Sequence, residues 1–391
     1  MQNPFYHVSS APRLLALLAV TVTVTGAGLG VASCAGDGQS TAIPTAPSST
    51  GGAPVSPDPS TNPGPNGAGG AGGADAQPEP PFQGTDGSPA GGLFTVPEPW
   101  TRSVADAPRS ASSDAITGWL ADHGGWGTKR LRIEFSIKVL HADASAPFRD
   151  FTPTDDFYQP DCDHVPFPVP AGGALEDEDG YGCTTDGDCH LLVVHEPSHK
   201  LYEMWRANLS GGEFHGGCAA VWDLGRSYEA HGRGENCTSS DAGGLPVAAM
   251  VFTADEVASG SINHAIRFIL PNSRIRRKAY VHPATHASDA LTGGPEAPPY
   301  GVRLRLRADY PLSSLPSDGA RVIARALQRY GMILADGGQV PLTAADDRDA
   351  VHKWSEVGVE PDSVGALRVG DMEVVDMEEP RRSTGDCERS E

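Results

Sequence analysis

The clearest pattern in the chain beyond residue 92 is a series of short segments in which apolar and polar residues alternate or apolar residues form brief runs. The strictest alternation lies in 301–307, where Arg303, Arg305 and Arg307 occupy one face and apolar residues the other. A period of two is typical of a half-buried β-strand. We therefore predict strands at 131–140, 190–195, 201–205, 218–222, 264–269 and 301–307.

A helical period appears in one place. Ser317 can cap a helix there, apolar residues recur at three- and four-residue spacing, and Gly331 ends it. Residues 332–335 then predict a returning strand, and a weaker pattern predicts a second short helix at 346–354. Turn residues at 196–199 predict that 190–206 forms a hairpin. Many short strands and one or two helices indicate a mainly β fold, a β-sandwich or jelly-roll-like domain.

The N-terminal 33 residues have the layout of a bacterial export signal. A polar head ends at Arg13, an apolar run covers 14–31, and small residues precede Cys34. The sequence Val-Ala-Ser-Cys at 31–34 resembles the lipobox of lipoproteins, so we expect cleavage before Cys34 and a lipid anchor on it. An ordinary signal peptide with a chance cysteine is the alternative. Because Ala35 follows rather than an aspartate, we expect an outer-membrane lipoprotein exposed to the periplasm or at the cell surface.

Residues 34–92 are predicted to be a disordered stalk. After the cysteine this segment is rich in Gly, Pro, Ser and Ala, contains no Lys or Arg, and has Phe82 as its single aromatic residue. Such a composition buries too little apolar surface to offset the entropy lost on ordering. Residues 93–391 are then predicted to form a single β-rich extracytoplasmic domain, which is long enough to bury a large core.

The net charge of the chain limits the classes of partner that it can bind. A net charge of −21 argues against nucleic acid and anionic lipid surfaces as partners, since both repel an acidic protein.

An even number of cysteines besides Cys34 in an exported chain predicts disulfides. These cysteines are Cys162, Cys183, Cys189, Cys218, Cys237 and Cys387. We prefer Cys218 with Cys237, because they flank one connecting loop, and the remaining connectivity stays open. The absence of a CxxC pair removes the usual support for zinc or redox chemistry.

The segment 177–188 is acidic, contains three glycines and is closed by two cysteines. Calcium needs several oxygen ligands at sharp turns, and these could come from Asp177, Asp179, Asp186 and Asp188. The segment resembles the Asp-rich calcium loops of extracellular repeat proteins, although it lacks the closing glutamate of an EF-hand. It is either a structural calcium site or a solvated acidic loop held by a disulfide, and no cofactor is required.

Several common catalytic motifs are missing from the sequence. There is no GxSxG elbow and no glycine-rich phosphate loop after a strand, which argues against serine hydrolysis and nucleotide chemistry. His282 and His286 have the spacing of two zinc ligands on one helix, but Pro283 opposes a helix at this point. The histidines therefore do not indicate transition-metal catalysis.

The remaining candidates are acids and bases on or beside predicted strands. They are Glu203, Asp223, Asp241, His264, Arg267 and His286. Alternation places Glu203 on one face with Leu201 and Trp205, and if that face lines a cleft, burial raises the pKa of Glu203, as a general acid requires. Glycoside cleavage would pair Glu203 with Asp223 or Asp241. A lyase would use His264 as base and an arginine to neutralise a uronate. Alternatively, these residues are buried polar groups that brace loops.

Five ordered motifs resemble a family of secreted bacterial proteins. They are the runs at 191–205, 220–224 (AVWDL), 240–246 (SDAGGLP), 262–268 (INHAIRF) and 330–338 (YGMILADGG). Members of that family often appear beside carbohydrate-binding or polycystic-kidney-type modules. The resemblance covers most of 130–378 and implies an extracellular, polysaccharide-related role, but it assigns no catalytic residue.

Together these features predict a surface-anchored, carbohydrate-active protein whose partner is a polysaccharide or other glycan. A glycoside hydrolase or a polysaccharide lyase is the expected activity. One alternative is a non-catalytic carbohydrate-binding or adhesion protein that uses its Trp and Tyr faces as sugar platforms. The other is a structural lipoprotein of the cell envelope. No oligomeric state is predicted.

Overall fold

The computed structural model describes residues 92–185, 187–229 and 231–390. The predicted signal peptide, Cys34, nearly all of the predicted stalk and Asp186 lie outside the described residues. Strands outnumber helices in the described part, so the prediction of a mainly β fold is confirmed. None of the helices in these ranges has the length and apolar content of a membrane span.

The regular elements are short and spread along the whole domain. The α-helices are α1 (Ser113–Asp122), α2 (Ala254–Ser259) and α3 (Asp318–Arg329). The strands are β1 (Ile133–Ile137), β2 (Val139–Ala142), β3 (Phe148–Arg149), β4 (Thr152–Pro153), β5 (Phe167–Pro168), β6 (Leu191–His195), β7 (Lys200–Met204), β8 (Asn208–Ser210), β9 (Glu213–Gly216), β10 (Ala219–Asp223), β11 (Gly234–Glu235), β12 (Ile266–Leu270), β13 (Ala279–Tyr280), β14 (Arg303–Leu306), β15 (Met332–Gly337), β16 (Leu342–Ala345), β17 (Met372–Val374), β18 (Arg381–Arg382) and β19 (Glu388–Arg389). Short 3-10 turns lie at Pro99–Thr101, Glu196–Ser198, Asn272–Arg274, Leu312–Ser314 and Val369–Asp371.

Two sheets organise the domain. The larger has six strands in the order β1-β16-β12-β15-β14-β17, and the smaller has four in the order β10-β7-β6-β2. Both are mixed, because β1 with β16, β12 with β15 and β2 with β6 run parallel while other pairs run antiparallel. These parallel pairs distinguish the sheets from an all-antiparallel jelly roll.

The four-stranded sheet is buried on both faces. Leu192 and Val194 belong to the larger core, which also contains the apolar residues of the six-stranded sheet. Leu191 and Val193 belong to a second, smaller core that includes Phe167. Since successive strand residues point to opposite faces, this sheet is the middle layer between the two cores. The larger core thus lies between the two main sheets, as in a sandwich.

Most of the predicted elements are confirmed. The hairpin is formed by antiparallel β6 and β7 around the turn at Glu196–Ser198. The strand predicted at 131–140 is divided into β1 and β2 at Lys138, whose ammonium group contacts Asp346 at 3.1 Å. In α3 the Ser317 hydroxyl accepts a hydrogen bond from the Ala320 amide, as expected for a helix cap.

The predicted second helix at 346–354 is wrong, because this segment contains only bends and turns. Side chains here take over the backbone groups that a helix would use. The amide of Trp354 donates to the Asp347 carboxylate, and Lys353 Nζ donates to the carbonyls of Asp347, Arg348 and Ala350. Such local side-chain bonds compete with helix formation. Sequence periodicity also missed α1 and α2.

The preferred Cys218–Cys237 disulfide is wrong as well. The structure pairs Cys162 with Cys218, Cys183 with Cys189, and Cys237 with Cys387. The segment after Cys162 runs beside β10, since the Asp163 amide donates to the Ala219 carbonyl. Cys237 follows β11, which pairs with the C-terminal strand β19 and so brings Cys387 to it. Tertiary pairing rather than nearness in sequence sets these bridges.

We predict that the Cys237–Cys387 bridge contributes more stability than the Cys183–Cys189 bridge. The two join residues 150 and 6 positions apart, and in the loop-entropy relation this corresponds to about 5 and about 2 kcal/mol. Urea unfolding of C237S/C387S and of C183S/C189S measures the difference. Equal losses in the two double variants would contradict this expectation.

Candidate functional site

A cavity of about 670 Å³ opens between the acidic segment, the loop that follows Cys237, and the segments at 286–290 and 383–385. Its wall contains three aromatic side chains, Tyr158, Trp205 and Tyr300. Two of the residues predicted from the sequence, Asp188 and His286, also line it, together with Asp336. Aromatic faces with a few convergent polar groups are typical of a ligand site.

Residues 238–245, here called the cavity loop, form one side of this cavity. Several hydrogen bonds hold the loop: the Thr238 amide donates to Asp161 Oδ2, the Gly243 amide to the Ala335 carbonyl, and the Ser239 hydroxyl to the Leu245 carbonyl. Gly244 has a φ of +77°, and a Cβ there would lie 2.3 Å from Thr285 Oγ1. The loop therefore requires glycine at this position and is a fixed wall.

A buried ion pair lies directly beneath the cavity loop. Arg267 on β12 donates from Nε and Nη2 to the two carboxylate oxygens of Asp241, each at 2.9 Å. Arg267 Nη1 also donates to Thr343 Oγ1 at 3.2 Å. Both charged side chains are almost fully buried. Asp241 and Arg267 are thus brought together as predicted candidates, but they brace the loop rather than line the cavity.

Asp336 near the end of β15 is the carboxyl group that reaches the cavity beside this pair. Its Oδ2 lies 3.5 Å from Arg267 Nη2 and accepts a hydrogen bond from the Ala242 amide at 3.3 Å. Burial and the negative charge of Asp241 raise the pKa of Asp336 to about 8, in spite of Arg267. The Tyr300 hydroxyl is hydrogen-bonded to the same carboxyl. These surroundings therefore favour the neutral form of the Asp336 carboxyl group.

Glu203 lies deeper, on the face of β7 that points into the larger core. Its carboxylate accepts hydrogen bonds from Trp222 Nε1 at 3.0 Å, from the Ser240 hydroxyl at 3.2 Å and from the Ala248 amide at 2.8 Å. Burial raises its pKa to about 7. Glu203 is desolvated because it is packed in the core and not because its face lines a cleft, since the side chain has no exposed surface and lies outside the cavity wall.

A second buried pair flanks the cavity loop. His190 Nδ1 donates to Glu176 Oε2 at 2.6 Å, and His190 Nε2 donates to the Ser240 carbonyl at 3.0 Å. Burial disfavours the charged form of the imidazole and lowers its pKa. The negative charge and hydrogen bond of Glu176 have the opposite and larger effect, so the pKa of His190 is raised. The imidazolium thus fixes the loop carbonyl of Ser240 from below.

Two predicted candidates lie away from this site. Asp223 is exposed at the end of β10, where it accepts a hydrogen bond from the Gly225 amide. The register pairs Ala220 with Glu203, so Asp223 points to the opposite face of the sheet and cannot act with Glu203 as a pair. His264 is buried against α2, with its Nε2 3.1 Å from Glu256 Oε1.

The described aspartates of the acidic segment do not converge. Asp188 Oδ1 accepts a hydrogen bond from Trp205 Nε1 at 2.9 Å, whereas Asp179 is exposed and lies 3.6 Å from Arg348. Asp177, Asp179 and Asp188 form no cluster of three ligand atoms within the part of the chain that the structure describes. With Asp186 outside that part, calcium binding stays a prediction. The Cys183–Cys189 disulfide, a pairing that the sequence left open, closes the segment.

A basic groove of about 520 Å³ adjoins the cavity. It lies along paired strands β13 and β18 and is lined by five cationic residues: Arg276, Arg277, Lys278, Arg381 and Arg382. Arg277 and Arg382 are exposed. Lys278 lines both the groove and the cavity, so the two spaces are neighbours at this residue. This local positive charge is the opposite of the net charge of the chain.

Sequence reasoning missed Asp336 and Tyr300 as site residues. Asp336 had a usable signal, since it ends an apolar strand and precedes two glycines, where strand-end carboxylates often meet a cavity. Tyr300 carried no such signal.

Comparisons of the chain with protein-family models, with curated proteins and with solved structures found no match. Its function is therefore inferred from this geometry.

Proposed function

We propose that the chain is a surface-anchored glycoside hydrolase that binds a polysaccharide in the 670 Å³ cavity, with Asp336 as the general acid. The observation that carries this proposal is a carboxyl group whose pKa is raised to about 8 in the wall of an aromatic-lined cavity. A glycosidic oxygen leaves only when an acid protonates it, and such an acid must hold its proton at the working pH.

Hydrolysis also needs a second carboxylate, and Asp188 in the same wall supplies one. Trp205 Nε1 holds the Asp188 carboxylate at 2.9 Å, which fixes it in place. In this proposal Asp188 is the base or nucleophile on the other side of the bond. Tyr158, whose side chain is about half exposed, and Trp205 provide faces on which sugar rings stack.

The lyase alternative is less well supported. Arg267, the arginine in the predicted set, gives two hydrogen bonds to Asp241 and is not free to neutralise a uronate. His264, the predicted base, contacts Glu256 and is absent from the cavity wall. A non-catalytic glycan-binding role is the second candidate, favoured by the exposed aromatic face of Tyr158 at the cavity.

The basic groove favours a glycan with anionic substituents. Its cations line a path that leads to the cavity through Lys278. Carboxylate or sulfate groups along a polysaccharide can pair with the guanidinium groups of Arg277 and Arg382. The substrate class proposed here is therefore an acidic polysaccharide whose chain crosses the groove and enters the cavity.

We expect D336N to lose turnover by about 10²–10⁴-fold, the usual contribution of a general acid. Wild-type activity should be present below pH 8 and decline as the pH rises through about 8, because the raised pKa keeps Asp336 protonated only below that value. Reducing ends released from a polysaccharide panel measure the rate. Absorbance of unsaturated uronates identifies a lyase.

The matched control is D309N, an exposed carboxylate paired with Arg307 outside both the cavity and the groove. It should retain wild-type turnover. Reducing ends from D336N at the wild-type rate would overturn the acid assignment. Glycan binding by wild type without any product would instead support the non-catalytic role.

We expect R277Q/R382Q to bind an acidic polysaccharide about 2–30-fold more weakly, since each exposed charge pair contributes about 0.2–1 kcal/mol. The loss should shrink in 1 M salt, where exposed charges are screened. Calorimetry with a uronate-rich and with a neutral polysaccharide, at low salt and in 1 M salt, measures the loss of affinity and its salt dependence. R307Q/R368Q changes two arginines outside the groove and should bind normally. Equal weakening for the neutral polysaccharide would contradict the groove's role.

We further propose that Cys34 carries the lipid that anchors the protein, on the strength of the Val-Ala-Ser-Cys sequence. Cells grown with labelled palmitate should label the wild-type chain and not C34S. The variant should also leave the membrane fraction, since a diacyl anchor is what holds the mature chain there. A wild-type protein that is fully soluble and unlabelled would remove this proposal.

A further inference from the structure

A cluster of two histidines and a glutamate brings together His231 and Glu235, which precede Cys237, and His282, which follows β13. Glu235 Oε1 lies 3.0 Å from His231 Nδ1 and 2.8 Å from His282 Nε2. One ligand atom from each of the three residues lies within 4.8 Å of the others. Two imidazole nitrogens and a carboxylate oxygen therefore converge on one point.

The contacts around the cluster orient its ligands. His282 uses its other nitrogen, Nδ1, to contact Glu378 Oε1 at 2.8 Å. The Tyr280 hydroxyl donates to Glu235 Oε2 at 2.6 Å and leaves Oε1 to the histidines. A carboxylate on the distal nitrogen of a ligating histidine is the usual outer contact of a metal site, because it fixes the ring and makes it more basic.

The backbone holds these residues in place. Glu235 lies on β11, which pairs with β19, and the Cys237–Cys387 disulfide follows two residues later. His282 follows β13, which pairs with β18. The three side chains differ in exposure: those of His282 and Glu235 are 11% and 23% exposed, whereas that of His231 is 65% exposed. The cluster is thus supported on one side and open to water on the other.

We propose that His231, Glu235 and His282 bind a divalent transition metal ion, with zinc as the expected occupant. Two imidazoles and one carboxylate are ligands that zinc prefers, while calcium prefers oxygen ligands alone. Water from the open side completes the tetrahedral coordination. This inference does not depend on the proposed hydrolase activity, since the three ligands lie outside the cavity wall.

One neighbouring cation competes with the metal. Arg381 Nη1 lies 3.8 Å from Glu235 Oε1, but its side chain is 45% exposed and also contacts Glu378. A metal at the cluster displaces this guanidinium toward solvent, where water hydrates it. Removing the charge with R381Q should therefore tighten metal binding.

We expect the full-length protein to bind one zinc ion per chain in calorimetry, and H231A to bind it at least tenfold more weakly. Saturating zinc should raise the melting temperature of wild type by about 2–4 °C, because the ion binds the folded state only. His231 is mostly exposed, so H231A should fold normally, and circular dichroism checks this. E378Q removes the carboxylate from His282 Nδ1 and also its ion pair with Arg381, and it should weaken zinc binding by about 10–100-fold.

The matched control is H141A, which removes another exposed histidine that contacts a glutamate, Glu196, at 2.8 Å. It should bind zinc with wild-type affinity. The proposal is overturned if wild type binds no stoichiometric zinc, or if H231A, E378Q and H141A all bind it equally. Weaker zinc binding by H231A and by E378Q, with unchanged binding by H141A, supports the proposed metal site whether or not any glycan is cleaved.

Discussion

The buried ion pair between Arg267 and Asp241 is the contact on which the rest of the site depends. Arg267 lies on β12 inside the six-stranded sheet, and Asp241 lies in the cavity loop. Glu203 from the four-stranded sheet accepts a hydrogen bond from Ser240, the preceding loop residue. Both main sheets are therefore attached to one loop. A buried charge left without its partner costs about 3–5 kcal/mol, so this arrangement tolerates little change.

The same ion pair sets the chemistry of the cavity. Arg267 makes two hydrogen bonds of 2.9 Å to Asp241 and approaches Asp336 only at 3.5 Å. One guanidinium thus neutralises one of two neighbouring carboxyl groups. The other carboxyl group, that of Asp336, lies near the negative charge of Asp241 in a poorly solvated position, which favours its neutral form. The raised pKa of Asp336 follows from how the fold balances its buried charges.

The sequence predicted features that depend on neighbours along one strand. Alternation in 201–205 placed Glu203 on one face with Leu201, and in β7 this face points into the larger core, where burial raises the pKa of Glu203. Pairings between distant segments could not be predicted in this way. Asp241 and Arg267 were each chosen separately, and nothing in their spacing indicated a bond between them. Cys218 and Cys237 show the opposite error, because nearness along the chain suggested a bridge that the strand pairing does not make.

Net charge and local charge carry different information about partners. The charge of −21 describes the protein as a whole, and an extended anionic surface such as a membrane meets many of these charges at once. A single polysaccharide strand is narrower, and in the proposed complex it would contact only the groove that it enters. A strand bound in that groove would lie closer to Arg276, Arg277 and Arg382, which line it, than to most of the acidic surface. The net charge, which opposes an extended anionic surface, is therefore compatible with the acidic glycan proposed as ligand, because a single strand would meet the local charge first.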